Sequence, residues 1–322
     1  MATATDFFVP LKGTPGPAHI AVKVWGNVND YQTAIVAGHG WLDNANTYDL
    51  IAPAILEAIP GSVIFSIDFC GHGRSSHAPS VDRYTGPTGY LSDVIAVVDY
   101  FKIDRFVAIG HSMGGGVFTA YCAAFPEKVT HFVCIENLGQ PYYPAKGVAG
   151  RLRRFFDHIE RRAQRGPSAA TTPMYPTIAA AVAARASADL PVPERAAQIL
   201  TERGLVPVYN STHHRTEYTW KNDPSLTLQW PWTATMEFVV ALLSQIEAPV
   251  LYVFATGGYF DQDNEAVKAR LAVVRRKEIM IVDGGHHPHL EDAAPQIAER
   301  VVSFLTTVSG AAGLNRPLKA KM

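Results

Sequence analysis

Apolar and polar positions along the chain follow two rhythms. Short, nearly continuous apolar runs fall at 19–24, 33–37, 63–67, 106–109, 130–135, 249–255 and 278–282. Runs of this length suit strands buried on both faces of a parallel sheet. Between them, apolar residues recur at helical spacing over 47–59, 90–101, 116–125, 263–275 and 293–305. Pro60-Gly61 and Pro126 close two of these segments, as helix-ending residues do. The alternation predicts an α/β fold with a mostly parallel, doubly wound sheet. It stops from about 141 to 245, where helical patterns occupy 148–164, 177–188 and 193–203, the last stopped by Gly204. That stretch predicts an inserted helical cap over the strand C-termini, where open α/β sheets bind ligands. The expected organisation is a first core part at 1–140, a cap at 141–245, a second core part at 246–310 and a flexible tail at 311–322. No internal repeat interrupts it.

The run at 106–109 ends in Gly110-His111-Ser112-Met113-Gly114, a G-x-S-x-G between strand and helix. So sharp a turn forces a strained backbone on Ser112 and needs neighbours nearly free of side chain. The hydroxyl then stands at a helix N-terminus, with the Met113 N–H aimed at any oxyanion formed there. A serine hydroxyl needs a base, and the base needs an orienting acid. In this arrangement the chain order is Ser, acid, His.

After the last apolar run stands Asp283-Gly284-Gly285-His286-His287-Pro288-His289. His286, directly behind the glycine pair, is the candidate base. His287 and His289 are read as supporting or cap-facing. The histidines precede the helix predicted at 293–305, so helical i+4 spacing brings them no partner and no metal site is expected. Two carboxylates compete as the acid. Glu136 closes the run at 130–135, and its longer side chain suits a more distant position. Asp261 lies beyond Gly257 and Gly258 in the loop after 249–255. Glu136 is favoured, Asp261 stays open, and Asp263 and Asp283 come behind. The run at 33–37 leads into Gly38-His39-Gly40-Trp41, where the Trp41 N–H is the expected second oxyanion donor. His39, Gly40 and His111 are expected to line the substrate pocket. In the turn from Asp68 to Ser76, Asp68 and His72 are expected to hold adjacent loops by hydrogen bonds.

Composition narrows the class. The 322 residues are 48% hydrophobic and 18% charged, which suits a large globular domain with an insertion. A net charge of −1 gives no general basic field, so nucleic acid is not an expected partner. The arginine-rich stretch at 148–164 is read as a solvated cap face with Leu152, Phe155, Phe156 and Ile159 turned inward, in preference to a membrane or acidic-ligand patch. Cys70, Cys122 and Cys134 are expected to be buried thiols in a reducing compartment. No apolar run reaches the length of a membrane span, and residues 1–13 lack the pattern of a signal peptide. The terminal Ala320-Lys321-Met322 matches the small–basic–apolar form of a peroxisomal address. This predicts capture by the peroxisomal import receptor and a peroxisomal or related location, with the cytoplasm otherwise. The cap aromatics Tyr142, Tyr143, Tyr218, Trp220, Trp230 and Trp232 fit a small-molecule substrate with an apolar acyl part, and fit core packing equally.

Together these segments resemble the α/β-hydrolase superfamily over nearly the whole chain. Closer still, they resemble the serine hydrolase-like protein family, whose mammalian members are associated with peroxisomes. The resemblance rests on 38–46, 68–75, 110–115, 135–139, Asp223-Pro224-Ser225-Leu226, Gly258-Tyr259-Phe260-Asp261 and Gly284-Gly285-His286-His287. It implies a Ser112/His286 pair and an oxyanion hole at Trp41 and Met113. Some relatives carry Asp where this chain has Gly257, a departure that leaves Glu136 or Asp261 as the acid. The expected activity is that of a cofactor-free, carboxylesterase-like serine hydrolase cleaving an ester, thioester or lactone through an acyl-serine. A C–C bond hydrolase or perhydrolase with the same triad, or a slow-turnover ligand receptor, are the alternatives. Ser112 argues against the Asp-nucleophile dehalogenases and epoxide hydrolases of the superfamily.

Overall fold

The computed structural model describes residues 3–13, 18–84, 87–142, 145–165, 173–188, 191–228, 234–261 and 263–307. The chain opens with strands β1 (Thr5–Pro10), β2 (His19–Trp25) and β3 (Thr33–Gly38), helix α1 (Ala52–Ala58), strand β4 (Ser62–Ile67) and helix α2 (Pro87–Tyr100). Strand β5 (Phe106–His111), helix α3 (Met113–Ala124) and strand β6 (Val129–Ile135) follow. The insert holds α4 (Val148–Arg165), β7 (Met174–Tyr175), α5 (Ile178–Ala186), α6 (Glu194–Gly204), β8 (Leu205–Asn210) and β9 (Arg215–Trp220). Then come α7 (Met236–Ser244), β10 (Val250–Ala255), α8 (Glu265–Ala272), β11 (Lys277–Val282) and α9 (Ala294–Thr307).

Eight strands form one sheet in the order β1-β2-β4-β3-β5-β6-β10-β11. β1 and β2 pair antiparallel, as do β2 and β4, and every other pair is parallel. The inner strands read as apolar runs because both faces are covered, whereas edge strand β11 leaves Ile279 and Ile281 exposed. In β3, Ala34 and Val36 join the core under α2, α3 and α7, while Ile35 and Ala37 join the core under α1 and α9. From β3 the chain steps to β4 on one side and later to β5 on the other. The loops leaving β3 and β5 therefore diverge at their carboxyl ends, which opens the crevice where such sheets bind ligands.

The expected helix at 47–59 is split. A 3₁₀ turn at Ala45–Tyr48 precedes α1, and Pro53 sits in the first turn of α1, where its missing N–H costs no helical bond. The insert carries the expected helices and also a three-stranded antiparallel sheet, β7-β9-β8, that the reading of 141–245 as helical did not include. Val239 and Leu243 of α7 are buried in the main core, so core packing resumes before the expected boundary at 246.

The insert is tied down by polar contacts. Arg203 of α6 donates to both Asp68 oxygens (3.1 and 2.8 Å) and to Asp6 (2.7 Å). Asn44 and Asn46 donate to the Leu200 and Ile199 carbonyls. Asp68 also accepts from the Ala45 and Arg74 amides, the loop-holding role expected of it. The three cysteines are buried and unpaired, and burial pushes the Cys70 thiol up to about 11. Among the described residues no helix is long and apolar enough to cross a membrane.

Candidate active site

β5 runs into Ser112, which stands at φ 47°, ψ −115° before α3. The flanking glycines are there for space. A Cβ on Gly110 would lie 2.6 Å from the Gly115 nitrogen, and one on Gly114 would overlap the Gly38 carbonyl. The Ser112 amide donates to the Ile135 carbonyl and the Gly114 amide to the His39 carbonyl, which fixes the turn against β6 and the loop after β3.

The loop after β11 brings His286 to this turn. Its Nε2 lies 2.9 Å from Ser112 Oγ and its Nδ1 3.1 Å from Glu136 Oε2. A carboxylate only accepts, so Nδ1 carries the proton and Nε2 offers its lone pair to the serine hydroxyl. Glu136 is buried at the end of β6 with φ 49°. Its Oε1 accepts from the Ala255 amide (2.7 Å) and its Oε2 also accepts from the Tyr259 amide (3.0 Å). A Cβ on Gly258 would fall on this carboxylate, so the glycine is what admits Glu136 here. Asp261 is exposed, and its Oδ1 accepts from the Asp263 amide. It caps its own turn and does not join the chain of hydrogen bonds. Burial lowers the His286 pKa below 6.5, His111 adds to this, and Glu136 opposes it. The group is thus held neutral, as a base requires. The Tyr259 ring lies over that of His286, centroids 4.1 Å apart, a contact the sequence reading left out.

Met113 is the first residue of α3, where a helix leaves its N–H groups without an intrahelical acceptor. The Trp41 indole donates to the Leu226 carbonyl at 3.1 Å and so links the loop after β3 to the insert.

Residues 33–293 match the family described as the alpha/beta hydrolase fold. The chain belongs to that family. It is 30% identical over 298 residues to a serine hydrolase-like protein of Dictyostelium discoideum, covering 89% of this chain and 78% of that one. A serine hydrolase-like protein of Mus musculus is 26% identical over 332 residues, 94% of this chain and 96% of that one. The crystal structure of a hypothetical protein from Pseudomonas aeruginosa PAO1 superposes with a TM-score of 0.79 at 28% identity, covering 94% and 99% of the two chains. Fold and relatives make this hydrolase-family chain a hydrolase.

Two expectations for this hydrolase need correction. His39 and His111 do not line a pocket, because both are fully buried. His39 Nδ1 donates to the Gly40 carbonyl (2.7 Å) and its Nε2 accepts from the Phe69 amide (3.0 Å). Burial holds its pKa at about 4. His111 Nε2 donates to the His286 carbonyl (2.8 Å), bracing the loop that carries His286. Gly40 is buried as well, and a Cβ there would lie 2.8 Å from both Asp43 and His111. Of the two roles open to His287 and His289, supporting or cap-facing, both take the supporting one. Both are buried, His287 against Asp43 (2.9 Å) and His289 against Thr47 (2.8 Å). In α4, Phe155 is buried as expected, but Phe156 is 62% exposed. Tyr143, Trp230, Trp232 and the tail with Ala320-Lys321-Met322 lie outside the described residues.

Proposed function

We propose that the protein is a serine hydrolase that cleaves a carboxylic ester, thioester or lactone through an acyl-Ser112 intermediate. The observation that carries this reading is the continuous chain of hydrogen bonds from Glu136 through His286 to Ser112 Oγ. In the first half-reaction Ser112 Oγ attacks the carbonyl carbon while His286 Nε2 takes its proton. The imidazolium so formed is balanced by the buried Glu136 carboxylate, which keeps the ring oriented. The Met113 and Trp41 amides hold the tetrahedral oxyanion, each donor contributing about 3–4 kcal/mol to the barrier reduction. His286 then returns the proton to the leaving alcohol or thiol. Water deprotonated by His286 releases the acid and restores Ser112. These steps use side chains, backbone amides and water alone.

The test is hydrolysis of a p-nitrophenyl ester series of increasing acyl length by wild type and Ser112→Ala, with fluorophosphonate labelling in parallel. Turnover and labelling that both vanish in Ser112→Ala support the reading. No turnover on any chain length, together with no labelling of the wild type, refutes it.

A further inference from the structure

Beneath the serine turn, three side chains from two loops and a strand end converge on one point. Asp43 leaves the loop after β3, His111 ends β5, and His287 follows His286 after β11. His287 Nε2 lies 2.9 Å and His111 Nδ1 3.5 Å from the same oxygen, Asp43 Oδ2. The three donor atoms lie within 4.8 Å of one another, and all three residues are buried.

The hydrogen positions make this arrangement unusual. His111 Nε2 faces the carbonyl of His286 at 2.8 Å. A carbonyl only accepts, so Nε2 carries the hydrogen, and a neutral ring then has its lone pair on Nδ1. Nδ1 has no hydrogen-bond partner and points at a carboxylate oxygen. Two acceptors thus face each other in a buried site, with His287 Nε2–H alone, among the described residues, donating to the shared oxygen; a cation that displaces this proton would engage all three atoms.

We propose that Asp43, His111 and His287 form a binding site for a divalent transition metal of borderline softness, such as Zn²⁺. Two imidazole nitrogens and one carboxylate oxygen are a ligand set that Zn²⁺ accepts, with a fourth position left for water. Much of the outer shell is already in place. A ligating histidine ordinarily donates its other nitrogen to a carbonyl or carboxylate, as His111 does to the His286 carbonyl. The second oxygen of Asp43 accepts from Arg185 of α5 at 3.2 Å, which leaves Oδ2 to the metal. The weak point is His287, whose Nδ1 has no partner. A missing outer-shell partner costs about 10–100-fold in affinity, so the site is a moderate binder.

Binding is measured directly, so that failure of the hydrolase reading would leave this result untouched. Tag-free protein is stripped with chelator, equilibrated with Zn²⁺ and desalted, and retained metal is counted by mass spectrometry. Co²⁺ titration reports geometry through the intense visible absorption of a four-coordinate site. The variants are His287→Gln and Asp43→Asn, with His213→Gln/His214→Gln to remove an exposed histidine pair on the insert. The expected result is roughly one ion per chain in wild type and the surface double variant, and affinity weakened more than about tenfold in His287→Gln. Circular dichroism confirms the fold of each variant. Should Asp43→Asn unfold, His287→Gln decides alone. Equal retention by wild type and folded His287→Gln overturns the proposal. So does retention that disappears with the surface pair.

Discussion

Glu136→Gln exchanges one carboxylate oxygen for an amide nitrogen at nearly constant volume, and the structure says why that small change is expensive. All three partners of Glu136 are donors: the Ala255 amide, the Tyr259 amide and His286 Nδ1. Glutamine has one acceptor for them. With its oxygen on Ala255, the NH₂ group faces the Tyr259 N–H and drives the His286 proton to Nε2, against Ser112 Oγ. With the oxygen turned the other way, the Ala255 amide is left without an acceptor. An unsatisfied buried donor costs about 1–3 kcal/mol of stability. The catalytic cost is larger, because a histidine in the wrong tautomer is not a base. The corresponding Asp→Asn exchange in a serine protease lowers kcat about 10⁴-fold, or about 5 kcal/mol on the barrier. Glu136→Gln is therefore expected to lose about three to four decades of kcat/KM on p-nitrophenyl esters and to slow fluorophosphonate labelling in step. Asp261→Asn touches only the turn at Asp263 and should stay within about threefold of wild type. A folded Glu136→Gln enzyme retaining more than about a tenth of wild-type kcat/KM, or an equal loss in Asp261→Asn, would refute the assignment.

Four further outcomes are expected. Because His286 must be neutral to act and its pKa is pushed below 6.5, kcat/KM should rise with pH through a midpoint below 6.5; a midpoint above 7 would contradict the burial of this ring. His39 and His72 are buried neutral with pKa values of about 4 and about 3, so the unfolded chain binds more protons between pH 6.5 and 4 and stability falls as pH falls through that window, by about 3 kcal/mol for His39 alone. Asp93, pushed up to about 6, works in the opposite sense but is outweighed by the two histidines; urea midpoints measured across the window give the net slope. Arg203→Met leaves buried Asp68 without its cation and should destabilise the protein by about 3–5 kcal/mol, read as a lowered urea midpoint. Finally, a fluorescent fusion ending in the native Ala320-Lys321-Met322 should give punctate, peroxisome-coincident signal that becomes diffuse when these residues are removed; diffuse signal from the intact tail would exclude the address.

The serine turn was legible because its requirements are steric and local: glycine where no Cβ fits, in a strand-to-helix step of a few residues. The choice between Glu136 and Asp261 was not, since it turned on empty space. The carboxylate of Glu136 occupies the volume a side chain on Gly258 would take, and a glycine does not advertise whose atoms fill the gap. The antiparallel sheet of the insert escaped for another reason. β9 buries Glu217 through ion pairs with His213 and Arg215, and β8 contains Pro207, which marks an edge strand. Neither carries apolar alternation. The cluster of Asp43, His111 and His287 comes from two loops and a strand end far apart in sequence, and helical spacing carries no trace of it.

Ser112 and Glu136 share a property beyond their hydrogen bonds: both stand in left-handed backbone, at φ 47° and 49°. For residues with a Cβ this conformation costs on the order of 1 kcal/mol each, a strain glycine does not feel. At Ser112 that strain is opposed by a single side-chain hydrogen bond, to His286, whereas at Glu136 it is outweighed by the donors the buried carboxylate satisfies. A laboratory lineage selected for heat resistance without turnover should drift to glycine at 112 and keep Glu136, whose carboxylate satisfies the Ala255 and Tyr259 amides. A lineage held to turnover should keep the strain and gather its stabilising changes elsewhere.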